Sequence, residues 1–226
     1  MICLPLALVS VLAIEQNSPS APAAASDQAI ELKTPTGTIS GTLTLPAAAA
    51  GKVPVTLIIA GSGPTDRDGN SAGLPGKNNA YLMLAKSLAK DGIATVRYDK
   101  RGIARSRSAA PPEIDMRFEN NVEDAVAWIA WLRTDARFST ITVVGHSEGS
   151  LVGMIGARVA KADAFVSLEG PAQNAADILP LQLKPQLPPP LWEASEALLA
   201  NLQAGKTSDA VRLRSRRSFG RACSRT

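Results

Sequence analysis

The chain has 226 residues, of which 45% are hydrophobic, 24 are basic, 20 are acidic and one is histidine. This length and apolar content predict a single domain with a buried core. A single histidine excludes a multi-histidine metal site. The two cysteines, Cys3 and Cys223, lie near opposite ends of the chain. The body of the chain is therefore predicted to have no disulfide and no cysteine metal site.

The first 25 residues are typical of an export signal. An apolar run covers residues 2–14, and the small residues after it predict cleavage after Ala25. No Lys or Arg precedes the apolar run, so a disordered leader is the alternative interpretation. We expect an exported protein, periplasmic or secreted. The run is too short, and too interrupted by proline, for a stable membrane span.

The next part of the chain alternates between strand-like and helix-like segments. Period-two alternation around a turn at Thr36-Gly37 predicts a hairpin over residues 26–45. Apolar runs then predict four strands, at 53–60, 93–98, 141–144 and 163–168. Helical spacing predicts three helices, at 79–91, at 120–134 and from Leu151 onward. We therefore expect an α/β fold over residues 26–174, with a mostly parallel, doubly covered sheet.

Sequence signals also mark the start of one helix and the segment after the core. Asn120 followed by Glu123 resembles a capping box, with Asn120 as the N-cap. Two helical pieces, 175–183 and 191–204, flank a proline-rich stretch and predict a partial helical cap over residues 175–206. The cap begins there and is not finished.

Residues 207–226 form a basic, atypical tail. Its last 16 residues contain six arginines and no acidic residue. Removing these six from the 24 basic residues leaves 18 against 20 acidic ones, so the net charge of +4 comes from the tail. The charge therefore gives no evidence for a nucleic-acid-binding surface on the domain. An end read out of frame is one interpretation of the tail, and binding to an anionic surface is the other.

The motif Gly-His-Ser-Glu-Gly at residues 145–149 lies between a predicted buried strand and a predicted helix. This order is typical of a nucleophile elbow, in which a strained turn exposes the serine hydroxyl above a parallel sheet. Ser147 is the candidate nucleophile. The backbone N–H of Glu148, at the start of the helix, could donate a hydrogen bond to a developing oxyanion. Glycine at 145 and 149 would let the helix pack tightly on the strand.

Three stretches resemble the α/β-hydrolase superfamily, in particular its exported serine esterase and serine-aminopeptidase-like group. They are Gly61–Gly69, Arg97–Gly102 and Gly145–Gly149. The resemblance implies hydrolysis of a carboxylic ester, or less favourably a peptide amide, through an acyl-Ser147 intermediate. It also implies an oxyanion hole formed by the backbone N–H groups of Ser62 and Glu148, a small-molecule ester substrate and no cofactor.

The chain departs from that family in its C-terminal part. Family members place an acid and then a histidine after the nucleophile, but here no histidine follows Ser147. No triad acid or base is therefore found, and we expect a C-terminally incomplete hydrolase. His146 is expected to pack under the elbow with a hydrogen bond, because successive strand side chains point to opposite faces.

The missing part has two consequences. The alternative function is a non-catalytic hydrolase-like chain that at most binds ligand. The missing strands would also leave an exposed sheet edge, which predicts self-association.

The remaining polar candidates have structural interpretations. Asp66, Asp68 and Asn70 resemble a calcium loop but lack its glycine and its glutamate, so they are expected to shape the loop instead. Asp99, Lys100 and Arg101 are expected to form a structural charge cluster. Three further candidates are given no catalytic role: Glu169, a Ser–Lys dyad with Lys100 or Lys184, and the tryptophans Trp128, Trp131 and Trp192, which are expected to pack in the core or cap.

Overall fold

A computed structural model of the chain describes residues 24–47 and 51–206. The basic tail and all but the last two residues of the expected export signal lie outside these ranges. Within them, no helix is both long enough and apolar enough to cross a bilayer.

Six strands of the described residues form one sheet in the order β1-β2-β4-β3-β5-β6. Their bounds are β1 Ser26–Thr34, β2 Gly37–Leu45, β3 Val53–Ile59, β4 Ala94–Tyr98, β5 Phe138–His146 and β6 Ala164–Leu168. β1 and β2 form the predicted hairpin, and β2 also runs antiparallel to β4. β3 pairs in parallel with β4 and β5, and β5 with β6. The predicted α/β fold with a mostly parallel sheet is confirmed.

Five helices connect or follow these strands in the described residues. Their bounds are α1 Ala80–Lys90, α2 Phe118–Thr134, α3 Glu148–Val159, α4 Ala175–Leu183 and α5 Pro189–Gln203. Two short 3₁₀ turns, Ala104–Ala109 and Glu113–Asp115, precede α2. The prediction that α3 begins at Leu151 was wrong by one turn, since the polar residues Glu148 to Ser150 already belong to the helix.

The predicted capping box of α2 was also misplaced. The N-cap residue is Arg117, and Asn120 lies one turn inside the helix. The side-chain oxygen of Asn120 accepts the Arg117 N–H at 2.9 Å, and its amide nitrogen donates to Glu123 at 3.3 Å. Asn120 therefore acts as the third helical residue of the box, because a polar side chain there can reach back to the N-cap backbone.

The apolar strands are buried on both faces. On one face Leu57, Ile59 and Val143 pack in a core with Trp128 of α2 and Val152 of α3. On the other face Ile58 and Val144 pack against Tyr81 and Ala85 of α1. This two-sided burial explains why β3 and β5 are continuously apolar rather than alternating. Both faces converge at the carboxyl ends of β3 and β5, where the candidate site lies.

The last elements of the described chain are the least buried. In β6, which pairs only with β5 among the described residues, Val166 is 43% exposed and Leu168 is 37% exposed. Helices α4 and α5 contain no buried residue, and the Lys184 ammonium lies 5.8 Å from the centre of the Trp192 ring. The structure thus places an open sheet edge and two lightly packed helices after the core.

Candidate active site

Ser147 occupies a strained turn between β5 and α3. Its φ of 52° and ψ of −125° lie in a region that non-glycine residues rarely adopt. β5 ends at His146 and α3 begins at Glu148, so a single residue joins strand to helix. The Ser147 N–H donates to the carbonyl oxygen of Leu168 at 2.9 Å, which ties the turn to the end of β6. This is the geometry of a nucleophile elbow.

Glycine is required on both sides of Ser147 because the helix lies directly on the strands. A Cβ on Gly149 would meet the carbonyl oxygen of Ile59 and would lie 2.6 Å from that of Ala60. A Cβ on Gly145 would lie 2.5 Å from the Ser150 Cα. Backbone atoms cannot rotate away, so any larger side chain at either position must displace α3.

A cavity of 440 Å³ opens beside the elbow. Its lining comes from the loop after β3, the first turns of α1, the elbow and the end of β6. The lining includes hydroxyl, amide and imidazole side chains together with the candidate nucleophile: Ser62, Thr65, Ser71, Asn78, Tyr81, His146 and Ser147. Of the two expected oxyanion donors, Ser62 therefore lines the cavity, and Glu148 is the first residue of α3. This volume is in the range of small-molecule sites.

His146 lies elsewhere than predicted. Its side chain is 38% exposed and lines the same cavity as Ser147, rather than packing beneath the elbow. The alternation of side chains holds only while the backbone stays extended. The positive φ of Ser147 ends that alternation, so the two neighbouring side chains can reach one cavity. The expected hydrogen bond is present, since Nδ1 of His146 lies 2.9 Å from the Tyr81 hydroxyl oxygen.

A short chain of hydrogen bonds links the loop after β3 to this histidine. The Gly61 N–H donates to the Tyr81 hydroxyl oxygen at 3.3 Å, and the same hydroxyl shares a hydrogen bond with Nδ1 of His146, in which either group can be the donor. The other ring nitrogen, Nε2, faces the Glu169 carboxylate at 3.9 Å. Burial raises the pKa of Tyr81, and the Gly61 hydrogen bond opposes that rise. With the Tyr81 hydroxyl as the donor, the only lone pair of a neutral imidazole is occupied.

Residues 72–203, more than half of the chain, match the family Hydrolase_4, described as serine aminopeptidase, S33. The chain belongs to this family. Esterase EstD from Thermotoga maritima is 28% identical to it over 146 residues. That match covers 65% of this chain and 34% of the esterase, so the chain spans about a third of the length of the curated relative it matches.

Solved structures agree on the fold of this S33-family chain. The α/β hydrolase GrgF from Penicillium sp. sh18 superposes with a TM-score of 0.53 at 20% identity, covering 80% of this chain and 56% of that one. A carboxyl esterase from Bacillus coagulans also reaches 0.53, at 14% identity, covering 70% and 49%. The α/β-hydrolase fold is thereby confirmed.

The glycine-rich loop after β3 is held by acidic side chains. Asp66 Oδ1 accepts the N–H groups of Asp68 and Asn70, each at 2.9 Å. The Asp68 carboxylate in turn accepts a hydrogen bond from Arg97, which is almost fully buried. These contacts match the expected loop-shaping role. Among the residues that the structure describes, no group of three His, Cys, Asp or Glu side chains is placed to hold a metal ion.

The charge cluster after β4 has two structural members. Asp99 is buried and accepts hydrogen bonds from the Arg67 side chain at 2.6 Å and the Arg105 N–H at 3.1 Å. Arg101 makes two hydrogen bonds of 2.6 Å to Asp124. Burial raises the pKa of Asp124 to about 6, against the opposing effect of Arg101. These ion pairs fix the position of the segment between β4 and the first 3₁₀ turn.

Lys100, the third member, points to the site instead. Its ammonium donates a hydrogen bond to the carbonyl oxygen of Gly61. Burial lowers the pKa of the amine, and the Glu148 carboxylate opposes this. Lys184 lies over Trp192, in the cap helices. The structure thus gives neither lysine a hydrogen bond to Ser147 among the described contacts, which disfavours the Ser–Lys dyad.

Sequence reasoning missed Tyr81 and Asp124. Tyr81 is one of the residues whose helical spacing predicts the helix at 79–91, and that pattern alone gives it only a packing role. A tyrosine on such a face was the available signal, since a buried hydroxyl needs a partner. Asp124 gave no signal, because an acidic residue in an amphipathic helix is ordinarily solvated.

Proposed function

We propose that this chain is a serine hydrolase of carboxylic esters that acts through an acyl-Ser147 intermediate. The observation that carries the proposal is the strained backbone of Ser147, which places the nucleophile in a cavity shared with Ser62. A residue held at φ 52° and ψ −125° costs on the order of 1–3 kcal/mol, a cost that functional sites commonly retain. The esterase relative from Thermotoga maritima supports the same class of reaction.

In this mechanism the Ser147 oxygen attacks the ester carbonyl carbon and loses its proton. The carbonyl oxygen becomes negative, and the backbone N–H groups of Ser62 and Glu148 stabilise it. The bond between the carbonyl carbon and the alcohol oxygen then breaks, and the leaving alkoxide takes up a proton. Water attacks the acyl-serine in a second step, releasing the acid and restoring the Ser147 hydroxyl.

This mechanism lacks an identified general base for the Ser147 proton. Its single histidine is hydrogen-bonded to Tyr81, so we propose that the Ser147 proton passes to water. Hydrolases that lose a triad member retain accelerations of roughly 10³–10⁴ over water from the oxyanion hole and binding. We expect this chain to act in that slow range.

Esters are favoured over amides by the same reasoning. An amine leaving group must be protonated as it departs, which requires a positioned general acid. A phenolate or activated alkoxide departs without that help. We therefore propose an ester with a good leaving group as the substrate, rather than the peptide amide that the family description suggests.

The second candidate is a non-catalytic chain that binds a small ligand in the 440 Å³ cavity. The engagement of His146 by Tyr81 favours it, because an unactivated serine is a weak nucleophile. The two candidates differ in whether Ser147 forms a covalent acyl intermediate.

The deciding experiment is hydrolysis of p-nitrophenyl acetate by the purified chain, with Ser147→Ala in parallel. We expect release of p-nitrophenolate above buffer in the wild type and none above buffer in the variant. Intact-mass spectrometry of an early time point should show an acetyl group on Ser147. Equal rates in both proteins, with no acetylated species, would refute the hydrolase and leave the ligand-binding candidate.

Two further proposals concern the chain outside the site. We propose that residues 1–25 direct export, on the basis of their apolar run and small-residue end. Fractionation of expressing cells, with N-terminal sequencing of the product, tests this, and uncleaved protein in the cytoplasm would contradict it.

We also propose self-association through the open edge of β6, where Val166 and Leu168 are exposed.

A further inference from the structure

Both polar backbone groups of Gly61 form hydrogen bonds with side chains. Its N–H donates to the Tyr81 hydroxyl, and its carbonyl oxygen accepts from the Lys100 ammonium. The residue also lies directly beside the nucleophile, since a Cβ built on Gly61 would lie 3.1 Å from the Ser147 Cβ. Tyr81 in α1 and Lys100 in the segment after β4 thus fix the position of Gly61 next to Ser147.

Fixing the Gly61 carbonyl also fixes the next amide. The peptide bond between Gly61 and Ser62 is planar and trans, so its C=O and N–H point in opposite directions. Lys100 is absent from the residues that line the cavity, whereas Ser62 is among them. Holding the carbonyl toward Lys100 therefore turns the Ser62 N–H away from Lys100.

Lys100 is itself held in a rigid segment. The residue before it, Asp99, is 1% exposed, and the residue after it, Arg101, is 8% exposed. Asp99 binds Arg67 and the Arg105 N–H, and Arg101 binds Asp124. The lysine backbone is therefore placed by two buried ion pairs, and the half-buried side chain reaches across to Gly61. Such preorganisation is what an oxyanion donor requires of its supports.

The charge of Lys100 adds a second effect. A hydrogen bond from an ammonium is stronger than one from a neutral donor. Hydrogen bonds in a chain polarise one another, so a cation on the carbonyl oxygen makes the N–H of the same peptide a better donor. The opposing carboxylate near Lys100 is that of Glu148, whose own N–H is the other expected donor.

We propose that Lys100 is a positioning residue of the oxyanion hole, which aims and polarises the Ser62 N–H by holding the Gly61 carbonyl. This inference rests on the proposed function, because a hole matters only if Ser147 attacks a carbonyl. It assigns to Lys100 a role at the site that is neither that of a base nor that of a purely structural charge.

The test compares Lys100→Met with Lys86→Met, which removes an exposed lysine from α1. The first readout is the Ser62 amide in ¹⁵N-serine-labelled protein, identified as the peak missing from Ser62→Ala. We expect its proton resonance to move upfield in Lys100→Met and to stay in place in Lys86→Met. An unmoved resonance in both variants would overturn the proposal.

The second readout is p-nitrophenyl acetate hydrolysis. We expect kcat to fall about 10-fold or more in Lys100→Met with KM nearly unchanged, a smaller loss than the roughly 10²–10³ caused by removal of an oxyanion donor itself. A rise in KM at unchanged kcat would contradict the positioning role. If the wild type shows no Ser147-dependent turnover but the Ser62 resonance still moves, the proposed function fails while Lys100 remains the residue that orients this amide.

A second variant keeps the test decisive if Lys100→Met does not fold. Lys100→Gln retains a neutral N–H donor and removes the charge. We expect a Ser62 amide resonance between those of the wild type and a variant without a donor, together with an intermediate kcat. Wild-type values for both in Lys100→Gln would rule out the polarising effect of the charge.

Discussion

The Tyr81 hydroxyl lies 2.9 Å from Nδ1 of His146, two residues that are 65 positions apart in the sequence. The same hydroxyl accepts the Gly61 N–H, so Tyr81 joins α1, the loop after β3 and the elbow. This hydrogen bond changes how the role of His146, the single histidine, is interpreted. The residue beside the candidate nucleophile is hydrogen-bonded to a tyrosine, and the tautomer of its imidazole decides whether it has a lone pair for Ser147.

The first prediction concerns the proton on His146. In neutral His146 we expect the Nε2–H form in the wild type, with the Tyr81 hydroxyl, 2.9 Å away, donating to Nδ1. In Tyr81→Phe we expect a mixture of the two neutral forms. Long-range ¹H–¹⁵N spectra of the single imidazole measure this directly. An Nδ1–H form in the wild type would contradict the assignment, and Ser71→Ala, which alters another hydroxyl of the cavity, should leave the spectrum unchanged.

The second prediction concerns the packing of α3 on the sheet. Gly149→Ala should lower the free energy of unfolding by at least about 3 kcal/mol, the upper end for an overpacked core, since the added methyl meets backbone carbonyls of Ile59 and Ala60. Gly73→Ala is the matched control, because nothing lies within 4 Å of its added methyl. Urea unfolding followed by circular dichroism measures both. Equal midpoints would show that α3 shifts at little cost.

The third prediction is a pH dependence at the pair of Arg101 and Asp124. Burial raises the pKa of Asp124 from 3.8 to about 6 in the folded protein, so ionising it costs more there than in the unfolded chain. Its contribution to stability is therefore complete below about pH 4 and is lost as the pH rises through 6. The wild type should lose on the order of 2–3 kcal/mol relative to Asp124→Asn across that window, at about 1.4 kcal/mol per pKa unit.

Urea unfolding of both proteins at several pH values between 4.5 and 7.5 provides the measurement. Other carboxylates titrate equally in the two proteins, so only the difference in unfolding free energy is compared. A difference that grows in favour of the wild type as the pH rises would mean that Arg101 outweighs burial, and that the pKa of Asp124 is lowered rather than raised.

The fourth prediction concerns the open edge of the sheet. Val166→Lys should weaken self-association, because a charged side chain on an edge strand opposes pairing with another chain. Val159→Lys is the control, since Val159 is 60% exposed but lies at the end of α3. Sedimentation velocity over a range of concentrations distinguishes them. A wild type that stays monomeric at all concentrations would refute association at this edge.

The main features of the fold could be predicted from the sequence because they depend on local patterns. Period-two alternation marked the hairpin, and continuous apolar runs marked strands buried on both faces. The elbow could also be recognised, because Gly145 and Gly149 are the residues that a tight strand-to-helix turn demands. Helix starts were less well predicted, as Arg117 and Glu148 show. Residues at helix ends are chosen by single hydrogen bonds rather than by a repeating pattern.

The contacts that define the site could not be predicted in this way. Lys100 and Gly61 are 39 positions apart, and Tyr81 and His146 are 65 apart. Each pair meets only because parallel pairing of β3 with β4 and β5 brings the carboxyl ends of these strands to one edge of the sheet. The orientation of His146 depended further on the positive φ of Ser147, which ended the alternation that strand geometry predicts.

The sequence by itself determined the fold class, the candidate nucleophile and the single histidine, since motifs, apolar periodicity and residue counts are properties of the chain alone. Only the tertiary structure decided that the histidine is bound to a tyrosine and that a lysine holds the loop beside Ser147. Hydrogen bonds between distant side chains depend on strand register and backbone direction, and these are set by the packing of the whole sheet.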